Sequence, residues 1–302
     1  MTINWMDVLA AFGGGLLGAA IGGLPAFIFT GFAVLVGSGM ALSGAAVDFT
    51  GTVAFGPVLG PHVAFAGGVA AAAFAKKQDK LASGKDITSG LAGLDSPAVL
   101  LVGGAFGAFG FLMNNVYASF LAGWTDTVAL TVFTVCLVAR LMFGNSGVFG
   151  TLSPEAVKRG RFTPGGDNVW IPWQKDWLQI AVIGFGFALA SAWVTLKVAE
   201  LDPKLGGAGV VIGFGLSAAS LLLLQFGTKV PVTHHITLIA AVAASTSGSL
   251  VVGVLFGIIS ALVAEVMARL FTIHGDTFID PPASAIWPMT LLVMALGKLG
   301  VF

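Results

Sequence analysis

The chain reads as an all-α integral membrane protein. About ten transmembrane segments fall into two repeated, inverted halves whose helices are broken by proline and glycine. Three observations lead there. Of 302 residues, 57% are hydrophobic and only 9% are charged, whereas a soluble domain carries about 25% charge. Charge-free runs near the roughly 20 residues that cross a bilayer follow one another along the chain. Stretches of the second half also repeat stretches of the first.

The charge count excludes several classes at once. Fourteen Lys+Arg and 14 Asp+Glu cannot coat a soluble globule, which removes a soluble enzyme and a disordered chain. A net charge of +0 without a basic patch removes nucleic acid as a partner. The single Cys136 leaves no disulfide framework and no Cys-based zinc site. The expected partners are the lipid bilayer, a small solute with protons or an ion, and further copies of the chain; no cofactor and no metal are expected. The N-terminal apolar run lacks a basic leader and reads as a membrane segment rather than a signal peptide.

Taken in order, residues 8–47 hold two helices with a break near Gly31. Residues 49–75 form one segment interrupted by Gly56, Pro57, Gly60 and Pro61. Ser96 to Thr125 and Asp126 to Phe143 supply one helix each. After a polar stretch come Trp177–Leu196, Gly206–Thr228, a Pro-led segment from Val230, a helix running to Leu270, and a last segment after Pro281-Pro282. These runs are continuously apolar, unlike the alternating strands of a β-barrel. The first membrane repeat is then 1–145 with an inserted loop at 76–95, the linker is 146–175, and the second repeat is 176–302. Trp170, Trp173 and Trp177 are expected as interfacial anchors. Lys and Arg concentrate in loops 76–95 and 144–175, which the positive-inside rule makes cytoplasmic in a multi-pass protein of the cell membrane.

The repeat rests on residue matches. At a shift of 150, Leu100–Thr127 lies over Leu250–Thr277 without a gap, with Gly103/Gly253, Phe106/Phe256, Gly107/Gly257 and Asp126-Thr127/Asp276-Thr277 among the identities. Upstream the shift becomes 173 and lays His62 over His235, a change about the size of the inserted loop. At a shift of 176, Gly31, Val34, Gly37 and Gly39 meet Gly207, Val210, Gly213 and Gly215. Five crossings per half make the halves inverted, and four with a re-entrant segment make them parallel. Five plus five is preferred, because inverted repeats give alternating access directly.

The residues that could carry chemistry sit at the breaks. His62 follows Gly60-Pro61 in mid-membrane, and proline favours the first turn of a helix. An extended Phe55–Gly60 stretch leading to a half-helix from Pro61 is expected. Its counterpart is Pro231-Val-Thr233-His234-His235, opened by Pro231 or Thr233. Two half-helix N-termini would then face one cavity, where backbone N–H groups can bind a solute. A helix kink with self-satisfied histidines is the plainer reading. Asp126-Thr127 and Asp276-Thr277 are candidates for gating or coupling, and equally for helix caps. These features make the chain a transporter or channel for a small polar or anionic solute, with no catalytic residue. The alternative is an intramembrane enzyme or metal-binding protein using the cluster His274, Asp276 and Asp280. Glu265 and Arg269 are spaced as an i,i+4 pair, and Gly103, Gly104, Gly107 and Gly110 form a small-residue packing face.

Overall fold

A computed structural model of the chain describes residues 4–302. Among them the secondary structure is helical apart from two isolated bridges, Gly84 with Thr277 and Gly165 with Asn168. The first helices are α1 (Trp5–Ile21), α2 (Gly23–Leu42), α3 (Ala64–Lys77), α4 (Pro97–Leu121), α5 (Thr127–Phe143) and a short α6 (Pro154–Arg159). Then follow α7 (Trp177–Leu201), α8 (Gly206–Ser220), a single turn α9 (Leu222–Gln225), α10 (His234–Ser247), α11 (Leu250–Met267) and α12 (Pro281–Lys298). Five stretches are long and apolar enough to cross a membrane: Gly23–Leu42, Pro97–Leu121, Trp177–Leu201, Pro203–Gln225 and Leu250–Thr272. They mark the chain as a helical membrane protein.

Local chemistry sets the ends. Asp126 caps α5 by accepting from the Ala129 N–H at 2.8 Å. Asp280 caps α12 by accepting from the Ala283 N–H at 2.7 Å, with Pro281 at the first helical position, where its missing N–H costs nothing. Asp176 accepts from Leu178 and Gln179 to open α7. The break between α1 and α2 lies at Gly22, whose φ of 102° suits only glycine. It does not lie at Gly31, which sits inside α2 against Ala218 and Ala219 of α8. A small residue is needed at Gly31 because two helices meet there, and that mimics a break in the sequence.

Phe55–Gly60 is not extended. A π-helical turn over Thr50–Ala54 runs into tight turns in which Gly60 N–H bonds the Gly56 carbonyl. Pro61 lies in the lead-in turn, where Ala64 N–H bonds the Gly60 carbonyl, and regular helix starts only at Ala64. In the second half Thr233, rather than Pro231, is the residue before α10.

Close backbone approach shapes the packing. α1 lies against α3 and α4 at Gly15, Gly67, Gly103 and Gly107, where an added methyl on any of them would overlap a neighbour's backbone. α7 lies against α10 and α11 in the same way, with Ala188, Ala192, Ala240 and Ala244 meeting Gly253 and Gly257. α3 touches α5 as α10 touches α12. The two groups of helices join through α2 against α8 and α5 against α12. α2 and α8 run antiparallel, since Gly31 meets Ala218 while Val34 and Leu35 meet Gly215. α5 and α12 do likewise: Asp126 N–H bonds Thr290 at 2.9 Å, and Cys136 meets the backbone of Asp280.

Candidate functional site

Between the two groups lies a cavity of about 350 Å³, within the range of small-molecule sites. α5 contributes Asp126, Ala129 and Val132, and α12 contributes Asp280, Ala283 and Ile286. These match one another at a spacing of 154, and each set starts with the Asp that caps its helix. Pro61 and Phe65 enter from the α3 side, His234 and Leu238 from α10. Phe27, Phe55, Phe214 and Phe278 complete an aromatic belt with ring centroids 5.7–6.4 Å apart. Toward one face the wall is formed by Ile87 and Thr88 of the inserted loop and by Trp170 and Ile171.

His234 is the one histidine in that wall. Its ring stands 4.7 Å from Phe27 and 5.8 Å from Phe214, and its Nδ1 is buried with no partner among the described residues. His62 and His235 are buried behind the wall rather than in it. The His62 carbonyl is pressed onto Gly110. The His235 carbonyl accepts from Ser260 Oγ at 2.9 Å, while both His235 ring nitrogens lack partners. Thr233 Oγ1 bonds Ser217 at 3.0 Å. Thr127, Gly60 and Pro231 do not line the cavity.

Asp276 and Thr277 stand apart from it. Asp280, rather than the expected Asp276, caps α12 as Asp126 caps α5: a cap must adjoin its helix, and α12 starts at Pro281. Asp276 accepts from Asn145 N–H and Ser146 Oγ, both at 2.6 Å. Partial burial alone would raise its pKa, but these bonds, with Arg140 nearby, hold it below the usual carboxylate range. Arg140, fully buried, donates to Thr277 Oγ1 at 3.0 Å, to the Val148 carbonyl at 3.2 Å, and to the carbonyls of Phe271 and Thr277. This tie joins the end of α5 to the segment before α12.

His274 Nε2 meets the Arg161 carbonyl at 2.9 Å. With Asp276 on Ser146 and Asp280 capping α12, the cluster read as an alternative centre is divided among three tasks. No group of three or more His, Cys, Asp or Glu suited to a metal occurs among the described residues. The Glu265–Arg269 pair forms, at 2.8 Å, with Arg269 4.1 Å over the Trp177 ring. The stretch 144–175 is more than a linker. Trp170 lines the cavity, Trp173 Nε1 donates to the Val230 carbonyl at 2.9 Å, and Gln174 pairs twice with Val232. These contacts hold the non-helical lead into α10.

Two features of the site escaped the sequence reading. Asp280 was grouped with its neighbours by proximity, although Asp-Pro-Pro is itself a helix-start signal. The aromatic belt draws on helices distant in sequence, and 24 Phe residues give no means of choosing among them.

Compared with known proteins, the chain matches, over residues 1–302, the model of a family described only as a family of unknown function (DUF7973). No curated protein matches it, and no solved structure does.

Proposed function

For a chain that belongs to the DUF7973 family over its whole length, we propose a membrane transporter of a small solute, built from two inverted halves of five crossings around the central cavity. The observation that carries this reading is the matched lining, in which capping carboxylates of α5 and α12 face one chamber from both halves. Central sites at a repeat interface are the habit of such transporters.

The inverted arrangement is supported by the packing. Every contact among α1–α5 has its counterpart among α7, α8 and α10–α12, and contact between the groups runs through α2 with α8 and α5 with α12. A helix touching its own counterpart in antiparallel fashion requires a two-fold axis across the helices, hence in the membrane plane. α4 leaves the face that bears loop 76–95, whereas α11 returns to it, as the Gly84–Thr277 bridge attests. Both termini then lie opposite the basic loops, and the basic face is cytoplasmic under the positive-inside rule. On that face the chamber is walled by Ile87, Thr88, Trp170 and Ile171.

Transport would proceed by tilting one half against the other at the α2–α8 and α5–α12 contacts. Asp126 and Asp280 act as the polar contacts in the chamber, with His234 beside them. Neither Lys nor Arg lines the wall, so the lining favours a neutral or cationic solute over an anionic one. Such a chamber has no converged nucleophile or metal set, which favours passage over chemistry.

The test uses full-length protein in liposomes and stopped-flow light scattering with a panel of small solutes. Ala283→Trp and Ala129→Trp place bulk in the chamber. At least one solute should cross faster than in protein-free liposomes, and both variants should abolish that flux while keeping the melting temperature. Unchanged flux in both folded variants would overturn the reading.

A further inference from the structure

Resting on that reading, the chemistry of the chamber narrows the solute class. Its only acidic or basic groups besides His234 are Asp126 and Asp280. Each uses one carboxylate oxygen on its own helix start, Asp126 Oδ1 on Ala129 and Asp280 Oδ2 on Ala283. Asp126 also meets the Val128 N–H; among the described residues, the second oxygen of Asp280 accepts no hydrogen bond, and neither carboxylate has a Lys or Arg partner. Carboxylates placed in an apolar chamber without a counter-charge are costly, beyond what a helix N-terminus returns. A second feature points the same way. His234, only 6% exposed, lines the same wall, and its Nδ1 is buried without a partner among the described residues. Across the remaining surface, among aliphatic side chains, runs a chain of rings from Phe55 through Phe214, Phe27 and Phe65 to Phe278. Aromatic faces attract cations and also shed water from alkyl groups.

We infer that the cavity binds an organic ammonium ion, its charge met by Asp280 and its alkyl or aryl body by Phe27, Phe65 and Phe214; Asp126 lies about 15 Å further along α5, at the other end of the chamber. An anion finds no donor charge there. A bare metal ion finds too few oxygen ligands, since six or more are usual for hard cations.

The test is calorimetric titration of the purified full-length chain with benzyltrimethylammonium and choline, against their uncharged counterparts benzyl alcohol and 3,3-dimethylbutanol. The cations should bind saturably and at least about tenfold more tightly than the neutral probes. Asp280→Asn should weaken cation binding by about tenfold or more, and Asp126→Asn by less, with melting temperatures held near that of the parent. Asp280→Glu, which keeps the charge, should retain more affinity than Asp280→Asn. Equal binding of neutral and charged probes, or of parent and Asp280→Asn, would overturn the cation assignment. So would the absence of binding by either ammonium probe. The liposome flux assay separates the two levels. Flux blocked by Ala283→Trp together with any of those results leaves a transporter of some other solute, while flux untouched by Ala283→Trp removes the transporter itself.

Discussion

Replacing Arg140 by Met keeps the length of the side chain and removes the guanidinium. The side chain is 0% exposed and holds one hydroxyl and three carbonyls, from Thr277, Val148 and Phe271. Leaving a buried acceptor unpaired costs about 1–3 kcal/mol. Some of these groups can recover water at the edge of the loop, so the net loss should be about 3–5 kcal/mol, the range seen when one partner of a buried ionic contact is removed. At about 2–4 °C per kcal/mol for a chain of this order of size, the melting temperature should fall by roughly 10 °C. Arg140→Lys keeps the charge but not the planar fork, and should fall by about half as much. Thermal unfolding of detergent-purified protein, followed by tryptophan emission, gives the readout. Gly275 packs directly on the guanidinium, so the loop before α12 should also become open to protease in Arg140→Met. A shift under about 2 °C would refute the idea that this residue ties the end of α5 to the start of α12.

Gly15→Val should cost more than about 4 kcal/mol because it overlaps the Gly103 backbone, whereas Gly13→Ala, with open space around it, should be neutral or raise the melting temperature; differential scanning compares them. Asp276 has a folded pKa below its unfolded one, so its contribution is complete above the unfolded carboxylate range and fades as pH falls through the folded value. Melting temperature should therefore drop below about pH 5, and Asp276→Asn should remove part of that slope while costing about 1 kcal/mol at neutral pH, since the group is only partly buried. In a Cys136→Ala background, Trp5→Cys and Lys158→Cys should react with an impermeant maleimide from opposite sides of oriented vesicles; reaction from one side would defeat the five-plus-five arrangement.

The sequence made the helices legible because lipid demands long apolar runs and charges are scarce. The segments expected at 96–125, 126–143 and 177–196 stand within a few residues of the observed helices. Where residues serve two ends, the reading slipped. Gly31 and Gly22 are both glycines in an apolar run, and only the positive φ at Gly22 distinguishes a break from a contact. Asp276-Thr277 repeats the letters of Asp126-Thr127, but a connection four residues longer moves the cap to Asp280. His62 stood out as a polar residue at a break, yet its ring turns behind the cavity, and its neighbour Pro61 lines the wall instead. Side-chain direction at an irregular turn is set by packing between distant helices, which no local spacing encodes.

The burial of α3 and α10 bears on how they are held in the membrane. Each is 14 residues long, rich in alanine and enclosed by other helices along nearly its whole length. Alanine offers little apolar area, and neither helix reaches the length that spans a bilayer alone. In chain order α3 precedes α4, and α10 precedes α11, the longer partners against which they pack. Each short helix therefore keeps its place in the lipid through its neighbours, α1 and α4 for α3, and α7, α8 and α11 for α10.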